Sequence, residues 1–276
     1  MPPLVRIREV TAKSVLNPSR ISGVTYAINP YVGCQHACSY CYARFITRYT
    51  GHQGEEWGSF IDAKINAPRV LQQQLRRKRI LKKEPVLFSS VTDAYQPVER
   101  RFQLTRRCLE VLIRHQFPIS ILTKSDLVFR DADLLGEGSD NEVGMTIITL
   151  DEKVRQVFEQ GAPPSIRRVE TLRSLSTQGV RTYAFVGPII PYLSTPDLEE
   201  LVRLLGESGV SYILFDRLNI KYGNRPIIHQ ALHSHFGDKV QAINTALQPG
   251  SQYYEEIRVQ IMELAGRYGV EADIIF

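Results

Sequence analysis

Six short apolar runs, rich in β-branched and aromatic residues, punctuate the chain at 25–28, 86–91, 119–123, 143–149, 182–186 and 212–215. Runs of this length and composition predict buried strands. Between them, apolar positions recur at helical spacing over 68–81, 103–115, 126–135, 164–178 and 196–208. Pro196 suits the first turn of the last of these, with Thr195 as its cap. Strand alternating with helix implies parallel pairing through right-handed crossovers. Beyond residue 225 the pattern turns mainly helical, with helices predicted at 227–235 and 253–268 and a late strand at 272–276. No repeat, low-complexity tract or linker divides the chain, so one domain is expected, with a core over about 20–222 and a C-terminal extension over about 225–276.

The segment after the first predicted strand carries the chemistry. Cys34, Cys38 and Cys41 lie within Gly33-Cys34-Gln35-His36-Ala37-Cys38-Ser39-Tyr40-Cys41-Tyr42. Thiolates bind iron–sulfur clusters, and a [4Fe-4S] cube normally takes four, so three on one loop leave an iron open to another ligand. Structural zinc is the alternative, but zinc sites usually come as two separated cysteine pairs. No second Cys-x-x-Cys exists, Cys108 falls in a predicted helix, and His36 is cramped between two of the cysteines.

The Cys-x3-Cys-x2-Cys spacing, with Tyr40 before the last cysteine, resembles the signature of the radical S-adenosylmethionine superfamily. Further stretches narrow the resemblance to its spore photoproduct lyase-like branch: Asn29-Pro30-Tyr31, Thr92-Asp93 with Tyr95-Gln96-Pro97 and Glu99, Thr123-Lys124-Ser125, and Pro188-Ile189-Ile190-Pro191. The resemblance implies an α/β fold, an open partial (β/α)6 barrel of parallel strands, here with a short mainly helical C-terminal extension. It implies a [4Fe-4S] cluster on Cys34, Cys38 and Cys41, with S-adenosylmethionine chelated at the open iron. Reduction by a low-potential electron donor then gives a 5'-deoxyadenosyl radical that takes a hydrogen from the substrate. The branch's founding member reverses a thymine dimer in DNA. Alignment with that lyase puts Ser90 where it carries a hydrogen-donating cysteine, and a serine O–H is too strong a bond for that role.

Reactive groups in such barrels gather at the C-terminal ends of strands. On that basis Tyr40 and Tyr42 are expected beside the cluster, Thr92 and Asp93 at the amino acid end of the cofactor, and Lys124 near its carboxylate or ribose. Thr149 with Pro188, Ile189 and Ile190 is expected around the adenosine. Each has a plainer alternative: Thr92 and Asp93 as a helix cap, Lys124 as a solvated rim lysine, and the proline segment as a turn. Polar groups after the sixth strand, from Asp216 to Tyr222, are candidates for the substrate side.

Composition alters this picture little. A net charge of +5 and the run Arg76-Arg77-Lys78-Arg79-Ile80-Leu81-Lys82-Lys83 make nucleic acid a candidate partner, although such a run is equally a solvated helix face completing the macrodipole. His229 and His233 have metal-ligand spacing without the glutamate of an HExxH pattern. No apolar run is long enough to span a membrane. A cytoplasmic enzyme without a membrane partner is expected, either acting on a nucleic acid or nucleotide, or using the same chemistry on a small molecule or peptide. A non-enzymatic metal-binding protein is the remaining class, and nothing in the pattern reports an oligomeric state.

Overall fold

Alternation of apolar runs and amphipathic segments produces a sheet covered by helices on one side. The computed structural model describes residues 5–19, 21, 23–77, 83–137, 140–220 and 223–276. Its first elements are β1 (Arg6–Val10), β2 (Leu16–Pro18), β3 (Tyr26–Ile28), β4 (Tyr31–Val32), β5 (Phe60–Lys64), α1 (Ala67–Arg77), β6 (Val86–Phe88), α2 (Glu99–Phe102), α3 (Leu104–Arg114), β7 (Ile119–Thr123), α4 (Ala132–Leu135) and β8 (Glu142–Thr146). There follow α5 (Glu152–Phe158), α6 (Ser165–Thr177), β9 (Arg181–Ile189), α7 (Leu198–Glu207), β10 (Tyr212–Arg217), α8 (Arg225–His235), α9 (Val240–Ala246), α10 (Tyr253–Tyr268) and β11 (Glu271–Ile274).

The main sheet has the order β11-β10-β9-β8-β7-β6-β3-β2, parallel throughout except for β2 at one edge. The six expected strands form its centre, in sequence order, as the partial barrel requires. The late strand extends it, pairing β11 with β10. The extension holds three α-helices rather than two, because 240–246 also folds as α9. A second, three-stranded sheet, β1-β5-β4, was not expected from the sequence. Four of the five residues of β1 are exposed, so its sequence lacks the apolar signature of a buried strand. Thr195 does not cap α7: the helix starts at Leu198, and the threonine hydroxyl meets Tyr253 Oη at 3.1 Å instead.

Side chains alternate across each strand, and the two faces differ. Val86, Phe88, Ile119 and Ile121 pack outward with Leu71 of α1 and Leu109 and Leu112 of α3. Ala184, Val186, Ile213 and Phe215 pack outward with Leu172, Leu201, Leu205 and Ile261 from α6, α7 and α10. Each such large side chain stabilises the fold by about 1.5–3 kcal/mol. The alternate positions face the concave inner side, where Leu87, Ser89, Leu122, Lys124, Phe185, Leu214 and Asp216 are all half-buried. This lumen is stopped at its lower end by Tyr183. Its ring crosses Gly144, where any Cβ would stand 2.1 Å from Cζ, and its hydroxyl reaches Ile121 O on β7 at 3.3 Å. Tyr212 stacks on it at 5.0 Å and donates to Glu142 at 3.0 Å.

Candidate active site

The three cysteines lie on the loop between β4 and a 3-10 helix, Tyr42–Tyr49, at the upper rim of the lumen. Cys34 and Cys38 are buried and Cys41 half-buried. The loop is clamped on two sides. From the segment after β6, Thr92 Oγ1 donates to Gly33 O at 2.5 Å, and Gln96 Nε2 donates to the same carbonyl at 3.2 Å. Gln96 Oε1 accepts the Gln35 amide at 2.9 Å, while Gln35 Oε1 accepts the Val98 amide at 2.7 Å. From the end of α5 and the segment after it, Phe158 O accepts the Ser39 amide at 2.9 Å, and the Gly161 amide donates to His36 O at 3.0 Å. Arg44 closes the loop on itself by donating to Cys38 O at 3.0 Å. A cavity of about 310 Å³ behind it is lined by His36, Arg100, Asp126, Gly161 and Arg167.

His36 is no fourth ligand. Its Nδ1 lies 3.1 Å from Gly161 O and its Nε2 3.2 Å from Asp93 Oδ2, so both nitrogens face protein oxygens. Asp93 in turn accepts Thr123 Oγ1 at 2.7 Å, the Tyr95 amide at 2.9 Å and the Lys124 amide at 2.9 Å. Burial alone would raise its pKa, but His36 and these donors outweigh it and hold the carboxyl well below the usual carboxylate range. Thr92 and Asp93 thus have protein partners, and they tie the ends of β6 and β7 to the cysteine loop. Thr149 is similar: fully buried, it donates to Asp197 Oδ2 at 2.7 Å, and Asp197 also accepts the Leu150 amide at 2.5 Å and the Asp151 amide at 2.9 Å. Ile189 and Ile190 are fully buried in separate apolar clusters, and half-buried Pro188 alone of this trio retains exposure.

Tyr40 and Lys124 do come together with the cysteines. Lys124 Nζ stands 5.7 Å from the Tyr40 ring centre. Burial opposes its charge, but Cys38, Glu159 and Asp93 outweigh that and raise its pKa above the ordinary lysine value. Tyr40 Oη donates to Glu159, which pairs with Arg168 at 2.6 Å, and both charged side chains are completely buried. Arg168 also donates to Thr146 O at 2.8 Å and to Pro163 O at 3.0 and 2.7 Å. Glu159 and Arg168 were absent from the expected site. Tyr42 is exposed and donates to Ser90 O, while Ser90 Oγ accepts Asn29 Nδ2 at 3.0 Å. The polar residues Lys221 and Tyr222 lie outside the described residues, as do Lys78 to Lys82 of the basic run.

The thiol set fits an iron–sulfur cluster. Burial pushes Cys38 up to about 12, while Lys124 and Arg168 favour its thiolate. Cys41 is raised by burial too, against Lys124 and the Ala43 and Arg44 amides. These cations and amides would compensate the thiolate charge that ligation requires. Among the described residues no three His, Cys, Asp or Glu side chains converge as ligands do on a single ion.

Comparison with known proteins agrees with this geometry. The chain is 38% identical over 219 residues to an uncharacterized protein of Methanocaldococcus jannaschii, covering 79% of each. It is 31% identical over 210 residues to one of Mycobacterium tuberculosis, covering 74% of this chain and 61% of that one. A radical SAM Nα-GlyT isomerase of Pseudomonas phage M6 is 23% identical over 255 residues, 90% of this chain and 52% of its own. The fold matches spore photoproduct lyase with bound AdoMet and dinucleoside spore photoproduct at a TM-score of 0.71 and 15% identity, over 98% of this chain and 81% of the lyase. Residues 28–211 match the family model of the radical SAM superfamily, and with the cysteine loop at the rim of a partial barrel the chain belongs to that superfamily.

Proposed function

We propose that the protein holds a [4Fe-4S] cluster on Cys34, Cys38 and Cys41 and uses S-adenosylmethionine to abstract hydrogen from a nucleic acid or nucleotide. When bound and reduced, the cluster supplies the electron that splits S-adenosylmethionine to methionine and a 5'-deoxyadenosyl radical. The protein's residues hold and shield that chemistry. Thr92, Gln96, Phe158 and Gly161 fix the loop backbone. Lys124, partly buried and facing the lumen, offers a cation to the cofactor carboxylate, and Tyr40 offers a ring oriented by Glu159. The observation that carries the proposal is this cysteine loop, clamped on both sides above a lumen closed from below. A low-potential electron donor would approach from the cavity behind the loop, where Arg100 and Arg167 stand at hand.

Nucleic acid as substrate is supported by the positive net charge and by the fold's likeness to the lyase. Ser90 argues against direct dimer reversal, because a serine cannot return the hydrogen as a thiol would. The second reading, a small molecule or peptide, is favoured by the apolar wall of Leu87, Leu122 and Leu214. The test is anaerobic reconstitution with iron and sulfide, then reductant and S-adenosylmethionine, measuring 5'-deoxyadenosine with and without ultraviolet-irradiated DNA. Stimulation by DNA supports the first reading, slow DNA-independent cleavage the second, and no cleavage at all defeats both.

A further inference from the structure

The carboxylates around the rim differ in what they have to hold. Asp93, Glu159 and Asp197 accept from, or pair with, protein groups as described, and Glu142 on the floor accepts Ser120 and Tyr212 at 3.0 Å each. Asp216 is the exception. Its neighbours Phe215 and Ile213 are fully buried on the outer face, so Asp216 faces the lumen, half-buried. Oδ1 accepts the Arg217 amide at 2.8 Å, and the Arg217 charge acts on it from the next residue without a close side-chain contact among the described residues. Burial raises its pKa above the ordinary aspartate value, against the opposing effects of the Arg217 amide and the Arg217 charge.

The local backbone is built around it. Phe215 pairs with Val186 and Arg217 with Ile189, so Gly187 and Pro188 both stand against Asp216. Pro188 has no N–H to give the ladder, and the resulting bulge re-aims the side chains beside it, as bulges near active sites do. On the same face, the Phe185 ring lies against Gly187, where a Cβ would come within 2.5 Å of Cε1. Leu214, two residues before Asp216, pairs directly with Phe185. An aromatic ring and an open carboxylate therefore share one patch of the lumen wall.

We infer that Phe185 and Asp216 form the substrate-reading wall of the lumen, the ring packing against a planar heterocycle and the carboxylate accepting from its N–H edge. The inference deepens the radical-enzyme reading and rests on it for the meaning of the lumen. An aliphatic amine would satisfy the carboxylate but would leave the ring without a flat partner.

The test compares binding of thymine and guanine dinucleotides with their N3-methylthymine and N1-methylguanine counterparts, which lack the N–H, on the reconstituted protein with S-adenosylmethionine present. The wild type is expected to prefer at least one unmethylated member by about tenfold or more, the scale of a charge-assisted hydrogen bond. Asp216→Ala should abolish that preference, Asp216→Asn, which keeps an acceptor and the shape, should retain part of it, and Phe185→Ala should weaken both members of each pair alike. The inference is overturned if the wild type shows no preference for either pair, if Asp216→Ala keeps the preference, if simple alkylamines compete better than the dinucleotides, or if Asp216→Ala weakens S-adenosylmethionine instead. Absence of 5'-deoxyadenosine with the preference intact would defeat the radical reading and leave the wall assignment standing.

Discussion

Gly161 is where the cysteine loop meets its cover, and replacing it with alanine tests whether that contact holds the cluster site. A Cβ there would lie 2.0 Å from Gln35 O, 3.0 Å from Gln35 C and 3.1 Å from His36 Cα, all backbone atoms with no rotamer to escape into. Ordinary contact begins near 3.4 Å, so the two segments must part by about 1.4 Å. That takes the 3.0 Å bond from the Gly161 amide to His36 O beyond hydrogen-bonding range. The lost bond, about 0.5–1.5 kcal/mol, and overpacking strain of about 1–3 kcal/mol together predict about 2–4 kcal/mol of destabilisation. Urea unfolding of the reduced, metal-free protein measures this, and iron and sulfide content after reconstitution reports the loop. Gly237→Ala, with nothing within 4 Å of its Cβ, serves as the control and should be neutral or slightly stabilising. An unchanged urea midpoint and full iron loading in Gly161→Ala would refute the clamp.

Cys38→Ala should lose the cluster's visible absorbance while far-ultraviolet circular dichroism stays native; a full absorbance would remove Cys38 from the ligand set. Arg168→Met strands the Glu159 carboxylate in a buried site and should cost about 3–5 kcal/mol in urea unfolding, whereas changing both partners to apolar residues should cost clearly less. Asp62, against Arg8 at 2.7 Å and His52 at 2.9 Å, has its pKa lowered although burial alone would raise it. Its contribution to stability is therefore full above the unfolded value, 3.8, and lost as pH falls through the lower folded value. Acid titration of the unfolding free energy should show this loss in the wild type and a flatter profile in Asp62→Asn.

The central strands were legible because each carries a short run rich in β-branched and aromatic residues whose outward positions are fully buried, as Ile119 and Ile121 are. The cysteine loop was legible because its spacing is local. What the chain did not disclose depends on partners distant in sequence. The strand-end position of Asp93 pointed to the amino acid end of the cofactor or to a helix cap, yet its hydroxyl partner, Thr123, lies on the next strand. Asp197 looked like part of a helix start, but its side chain turns back to residues 149–151. Arg168 left one clue: it shares the inward stripe of α6 with Ser165, Val169, Leu172 and Leu175, where a charged residue signals a buried partner. Glu159, just past α5, left none.

Tyr183, laid across Gly144 and bonded to Ile121 O on β7, makes the lumen a chamber plugged at its lower end. A polymer cannot be threaded through such a chamber. On the proposed function, a nucleic acid would instead offer one projecting unit, such as a nucleotide swung out of its stack, at the upper rim. With S-adenosylmethionine held at the cysteine loop on that rim, as proposed, the cofactor would have to seat before the reacting unit closes over it.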